Sequence, residues 1–140
     1  MTSRPIYLHL HPDEALPENP CEAPFRALVV LEDSCTTEWR ERVCRWLVGR
    51  GCLYAMTWGK DSSDWDTAID IANTEKYEFK EIPENGFVMT TWHDSEPLSE
   101  TMWFAKNNAC HPTVELQSTL LVHLARNPSE ARLLSAYAEA

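Results

Sequence analysis

The sequence has 140 residues, the length of one ordinary domain, and a formal net charge of −10 at pH 7. This surplus of acidic side chains repels phosphate backbones and anionic lipid headgroups, which excludes nucleic acid and membrane surfaces as expected partners. No apolar run approaches the length of a membrane span, and the N-terminus lacks the basic and apolar regions of a secretory signal. Together with five cysteines that form no C-x-x-C pair, these features predict a cytoplasmic protein with reduced thiols.

The N-terminal segment 1–24 differs in character from the rest of the chain. Its prolines are too closely spaced for a helix or a central strand. They are Pro5, Pro12, Pro17, Pro20 and Pro24. We therefore expect this segment to be an arm, in which residues 6–10 are a candidate edge strand. Residues 25–140 are predicted to form a single α/β domain.

Four apolar runs predict the strands of this domain. The run at 27–31 is continuous and shows no alternation, which is typical of a strand covered on both faces. The later runs are 52–58, 87–92 and 119–124. Each run is followed by a polar break and then by apolar residues at helical spacing, so the predicted order is β-α-β-α-β-α-β-α.

Local signals predict where the helices begin. The first helix starts near Thr37, and Ser63 and Asp66 have the spacing of a capping box at the start of the second. Pro97 is expected in the first turn of the third helix, and Asn127 is expected to cap the fourth.

The distances between strand starts predict the architecture. Each interval is long enough for one crossover helix, and right-handed crossovers join parallel strands. The sequence thus predicts an α/β three-layer sandwich with a four- or five-stranded, mostly parallel sheet and helices on both faces. The strand exits then all open on the same edge of the sheet.

The first strand-to-helix turn, residues 32–36, argues against a bound nucleotide. It reads Glu-Asp-Ser-Cys-Thr, with two carboxylates and no glycine. Dinucleotide and ATP sites use glycines in this turn so that backbone N–H groups can approach a phosphate. We therefore expect neither ligand at this position and predict no cofactor.

Metal-binding side chains are present, but no complete metal motif is. The acids at the strand ends have oxygen atoms that suit Mg²⁺, although capping the following helix is the more ordinary role of such residues. They are Glu32, Asp33, Asp61 and Asp94. His9 and His11 would lie on one side of a strand, but no neighbouring motif completes a zinc set. No metal site is therefore predicted.

A cysteine with a histidine base is the other enzyme alternative. Cys35 precedes the first helix, where a thiolate is favoured, and His93 or His123 would serve as its base. The carboxylates of Glu32 and Asp33 oppose this chemistry, because adjacent negative charge raises the pKa of a thiol.

The chain contains six tryptophans, which is more than a core of this size usually holds. Trp39, Trp46 and Trp65 fall on the apolar sides of helices and are predicted to lie in the core. The remaining three lie at strand exits or beside the main apolar stripe of the third helix. Core packing is the more ordinary role of each, because aromatic side chains commonly seal helix–sheet contacts. Since tryptophan is enriched at binding hot spots, these three are also candidates for a binding surface.

The function predicted from these features is a small, non-catalytic interaction module that binds another protein, with an enzyme as the alternative. Strong negative charge and abundant aromatic residues suit recognition of a basic protein surface, as in bacterial immunity or adaptor proteins. The predicted binding surface at the C-terminal edge of the sheet consists of Glu32, Asp33, Trp58, Asp61, Trp92, His93 and Asp94. His93 is expected to be at least partly exposed, and no feature predicts an oligomeric state.

Overall fold

The computed structural model describes residues 4–140. Over these residues the elements are β1 (Ile6–Leu10), β2 (Phe25–Leu31), α1 (Thr37–Gly49), β3 (Cys52–Gly59), α2 (Ser62–Lys76), β4 (Met89–His93), α3 (Leu98–Asn107), β5 (Ser118–Leu124) and α4 (Glu130–Glu139). A short 3₁₀ turn at Glu84–Gly86 precedes β4.

The strands of the described chain form one parallel sheet in the order β1-β5-β2-β3-β4. The predicted α/β sandwich is confirmed, and residues 6–10 are its fifth strand. Ile6 lies opposite Leu120, and Leu10 lies opposite Leu124. The arm thus begins as one edge of the sheet.

Helices cover both faces of the sheet. α1 and α2 pack on one face through residues such as Leu47 and Ile69, and α3 and α4 pack on the other through Met102 and Leu133. This division follows from right-handed crossovers. The chain moves from β2 to β4 over the first face and returns to β5 over the second. The central strands are consequently buried on both sides, as their continuous apolar runs predict.

The proline-rich segment 11–24 crosses the outside of α1. The indole Nε1 of Trp39 donates to the carbonyl of Glu14 at 2.7 Å, and Nε1 of Trp46 donates to the carbonyl of Pro17 at 2.8 Å. Trp39 and Trp65 lie in the core as predicted, edge to face, with ring centroids 6.5 Å apart. Trp39 and Trp46 therefore link the arm to α1.

No helix within residues 4–140 is both long enough and apolar enough to cross a membrane.

Three predicted helix starts were wrong. α3 begins at Leu98, with Pro97 at the N-cap and not in the first turn. α2 begins at Ser62, with Asp61 at the N-cap in the left-handed region at φ 58°, so Ser63 and Asp66 do not form a capping box. α4 begins at Glu130 with Ser129 at the N-cap, not at Asn127. At the start of α4, the N–H of Ser129 donates to the phenol oxygen of Tyr7 at 2.9 Å.

β4 begins two residues later than its apolar run. The N–H of Val88 donates to the side-chain oxygen of Asn73 in α2 at 2.9 Å, and the amide nitrogen of Asn73 donates to the carbonyl of Gly86 at 3.0 Å. The buried Asn73 therefore holds the segment before β4 in position, and β4 pairs with β3 only after that segment.

Candidate functional site at the carboxyl edge of the sheet

The carboxyl ends of β2 and β5 form the topological switch point of the sheet. The chain leaves β2 towards α1 on one face and leaves β5 towards α4 on the other. Open α/β sheets bind ligands at such a point. Glu32 follows β2 directly, and His123 lies near the end of β5, so both residues belong to this region.

A network of hydrogen bonds connects Tyr7, His123 and Glu32. The imidazole of His123 is fully buried. Its Nδ1 lies 2.7 Å from the phenol oxygen of Tyr7, and its Nε2 lies 2.5 Å from a carboxylate oxygen of Glu32. Arg132 donates to the same oxygen of Glu32 at 2.8 Å. Because a carboxylate only accepts, the proton of His123 lies on Nε2, and Nδ1 accepts from Tyr7.

The electrostatics of this hydrogen-bond network favour an ionised Glu32 and a neutral Tyr7. Burial raises the pKa of Glu32, but the hydrogen bonds from His123 and Arg132, together with the charge of Arg132, outweigh it and hold the pKa below its ordinary value. Burial is also the main reason why the pKa of Tyr7 is raised. Tyr7 is therefore disfavoured as a phenolate nucleophile. The hydrogen-bond network instead links β1, β2, β5 and α4.

Backbone hydrogen bonds close the crevice at the switch point. The N–H groups of Glu32 and Asp33 both donate to the carbonyl of Leu124, at 3.0 and 3.3 Å. A carboxylate oxygen of Asp33 in turn accepts from the N–H of Arg126 at 2.8 Å. The two loops that would form the walls of a ligand cleft are thus bound to each other.

The structure gives Cys35 neither of its two candidate bases. Both ring nitrogens of His123 are bonded to Tyr7 and Glu32, and those of His93 lie against Thr91 and Glu96. Burial, reinforced by the charge of Asp13, raises the pKa of the Cys35 thiol to about 11. A thiol with that pKa is almost entirely protonated at neutral pH.

The expectation that His93 is partly exposed was wrong. Its side chain is 9% exposed, its Nδ1 is 3.2 Å from a carboxylate oxygen of Glu96, and its Nε2 is 2.9 Å from the hydroxyl of Thr91. The ring of Phe104 covers it at a centroid distance of 5.4 Å. The turn at the strand exit is polar, but α3 folds back over it and buries the imidazole.

The other predicted binding residues divide into two groups. Asp33 and Trp58 are half-buried, and the Nε1 of Trp58 donates to the carbonyl of Glu96 at 2.8 Å. Asp61, Trp92 and Asp94 are exposed. The exposed group follows or lies within β3 and β4. Glu32 is also exposed, but it lies at the β2 and β5 half of the edge and is bonded to His123 and Arg132.

An acidic pair on α2 was not predicted as part of a site. Asp66 is 7% exposed, and its Oδ1 has no hydrogen-bond partner among the described residues. Asp70 accepts from the hydroxyl of Thr90 in β4 at 3.0 Å. Burial and then the charge of Asp70 raise the pKa of Asp66, and burial raises that of Asp70. The signal in the sequence is the helical spacing of Asp66, Asp70 and Asn73, a polar stripe beside the apolar one.

We expect Asp66→Asn to stabilise the protein by about 1 kcal/mol near pH 7, because a negative charge with one unpartnered oxygen is then no longer buried. A raised folded-state pKa costs stability above that pKa, and the cost disappears as pH falls below the ordinary value. The gain, measured by urea unfolding, should therefore shrink towards about pH 3. The control is Asp64→Asn in the first turn of the same helix, which removes a favourable dipole interaction and should destabilise slightly. A less stable Asp66→Asn protein at neutral pH would contradict this assignment.

The two histidines of the arm have separate partners. Nε2 of His9 lies 2.6 Å from the carbonyl of Ala125, whereas Nδ1 of His11 lies 3.1 Å from the carbonyl of Pro12. No group of three or more histidine, cysteine, aspartate or glutamate side chains within residues 4–140 is placed to hold a metal ion.

The chain matches, over residues 5–140, the family described as Domain of unknown function (DUF7684), and it belongs to that family. No curated protein and no solved structure matches it.

Proposed function

We propose that this member of the DUF7684 family is a non-catalytic module that binds a basic protein surface through the β3 and β4 half of its carboxyl edge. The observation that carries the proposal is Trp92, which is 55% exposed within a strand and next to exposed acids. A large exposed aromatic side chain beside polar groups is the usual composition of a binding hot spot.

The register of the sheet supports a continuous acidic surface around this tryptophan. Trp58 lies opposite His93, so the residue after β4, Asp94, is level with the end of β3. Neighbouring strands are about 4.8 Å apart, which brings the loops containing Asp61 and Asp94 next to each other. Lys60 is the exposed base within this turn, and the chain as a whole has 22 acidic against 12 basic residues.

The β5 half of the edge has a different composition. Arg132 is paired with Glu32, and the carboxylate of Asp33 is occupied by the backbone of Arg126. These two acids therefore contribute to internal contacts, and we place the proposed surface at Asp61, Trp92 and Asp94. We propose a cytoplasmic partner protein, in keeping with the reduced thiols.

The enzyme alternative has weaker support. The Cys35 thiol has a pKa of about 11, and both nitrogens of His123 are engaged in internal hydrogen bonds. General base catalysis needs a nitrogen that a substrate proton can reach.

We expect neutralisation of the proposed surface to weaken partner binding about tenfold, since close charge pairs at an interface contribute on the order of 1 kcal/mol or more. The variant is Asp61→Asn with Asp94→Asn; asparagine tolerates the left-handed backbone at position 61. The matched control is Glu22→Gln with Glu115→Gln, two exposed acids in loops at the amino edge.

The three proteins are immobilised, and basic proteins retained from a native lysate are quantified, identified and then tested as purified proteins. The proposal expects a protein that binds the wild type and the control equally, binds the edge variant more weakly, and is released by salt. If every retained protein binds the edge variant and the control alike, or if none binds at low salt, the proposal is wrong.

A further inference from the structure

The two outer strands of the sheet differ in how well they are protected against pairing with another chain. β1 is bounded by Pro5 and Pro12, and proline next to an edge strand limits its extension. β4 pairs with β3 alone and reads Met-Thr-Thr-Trp-His, without proline or lysine. Its β-branched and aromatic residues favour extended structure. β4 therefore lacks the proline and lysine residues that discourage strand addition.

The backbone groups of β4 that face outward can be assigned. The hydroxyl of Thr57 in β3 lies 3.5 Å from the carbonyl of Thr91, so that carbonyl points towards β3. In a parallel strand the N–H and C=O of one residue point to the same side, and successive residues alternate. Thr90 and Trp92 consequently direct their N–H and C=O groups away from the sheet, where an added strand would receive them.

The side chains beside this edge are acidic and aromatic. Thr90 bonds to Asp70, so it faces α2, and the period-two alternation places Trp92 on the same side. Asp66 lies on the same stripe of α2 as Asp70, one turn nearer the carboxyl edge, and its Oδ1 has no partner. A strand added to β4 would lay alternate side chains along this acidic stripe.

We propose that β4 receives an extended segment of the partner protein as a sixth strand, with lysine or arginine at alternate positions facing the exposed Asp70 and Trp92. Main-chain hydrogen bonds to Thr90 and Trp92 supply affinity, and the acidic stripe selects the basic side chains. This inference rests on the proposed function and specifies the form of its partner.

A second copy of this chain is the competing occupant of the edge. Two β4 strands brought together would also bring together two sets of Asp66, Asp70 and Asp94, and like charges in close contact oppose association. Charge therefore favours a basic segment over self-association.

The test uses three synthetic peptides of about eight residues, enough to span β4 and its flanks. One alternates lysine with valine, one alternates glutamate with valine, and one is a fully N-methylated version of the lysine peptide. Each is titrated into the ¹⁵N-labelled full chain, and amide shifts and hydrogen exchange are followed along β4.

We expect the lysine peptide to shift the amides of Thr90 and Trp92 at concentrations up to about 1 mM, and the other two peptides to leave them unchanged. Trp92→Ala should weaken binding about tenfold, because it removes the aromatic contact. Trp103→Ala is the matched control, since this tryptophan is 51% exposed on α3 and should leave binding as in the wild type.

Three results would overturn the inference. They are no response of the β4 amides to the lysine peptide, an equal response to the N-methylated peptide, and a dimeric chain whose β4 amides are protected without any peptide. The last result would identify a second copy as the occupant. One of these results can occur while the Asp61→Asn, Asp94→Asn variant still binds a basic protein more weakly than the wild type does. In that case the proposed function stands and only strand addition fails.

Discussion

His123→Leu is expected to lower the free energy of unfolding by about 2–4 kcal/mol at neutral pH. Leucine fills a similar volume but bonds to neither Tyr7 nor Glu32. The phenol of Tyr7 then lacks the acceptor for its proton inside the fold. The loss should appear as a lower urea midpoint with an unchanged slope.

The effect of His123→Leu should depend on pH in a defined direction. The pKa of Glu32 is held below its ordinary value in the folded state, so its contribution is present above the ordinary value and is lost as pH falls through the folded value. The gap between wild type and variant should thus narrow from about pH 7 to about pH 3. His11→Leu is the control, because the His11 side chain is 42% exposed and its ion pair with Glu14 should contribute little. Equal losses in the two variants would show that His123 has no special role.

Asn73→Ala is expected to cost about 2–4 kcal/mol and to loosen β4 in particular. The side chain is 2% exposed, and its removal leaves the N–H of Val88 and the carbonyl of Gly86 without their partner. Exchange of the β4 amides should therefore accelerate more than exchange of the β2 amides.

A matched change on α3 separates this local effect from the loss of any asparagine. Asn107→Ala removes a side chain that is exposed and bonds only within its own helix, to the carbonyl of Trp103 at 2.9 Å. Its stability should change by less than about 0.5 kcal/mol. If Asn73→Ala accelerated exchange evenly across the sheet, the asparagine would not be what positions β4.

Periodicity and crossover length were sufficient to predict the fold. Burial on both faces leaves continuous apolar runs in β2 and β5, and the run at 27–31 lies within the central strand. Helix starts were harder, because they depend on contacts between residues far apart in sequence. At the start of α4, Ser129 contacts Tyr7, a residue of β1 that local sequence pattern around α4 does not reveal.

The candidate site was predictable in its parts but not in its connections. Glu32 and His123 were both recognised at strand exits, yet the sequence contains no sign that they bond to each other. Asp66 was interpreted as a capping residue because its spacing from Ser63 fits one. Its burial depends on how α2 packs against β4, which local pattern does not reveal.

Stability and binding oppose each other at Asp66. Its unpartnered oxygen costs free energy in the isolated protein, so a stabilising Asp66→Asn substitution should at the same time weaken binding of a basic strand. If Asp66→Asn improved both properties, the negative charge of Asp66 would not contribute to binding of the basic strand.

The ribosome delivers β5 last among the strands of the sheet, although β5 lies between β1 and β2. Tyr7 meets His123 across 116 residues of sequence, and β1 has no neighbouring strand until β5 emerges. Such non-local pairing delays folding and exposes apolar edges during synthesis. A nascent chain stalled before Ser118 would therefore expose the unpaired edge and the apolar side chains of β2, to which chaperones could bind.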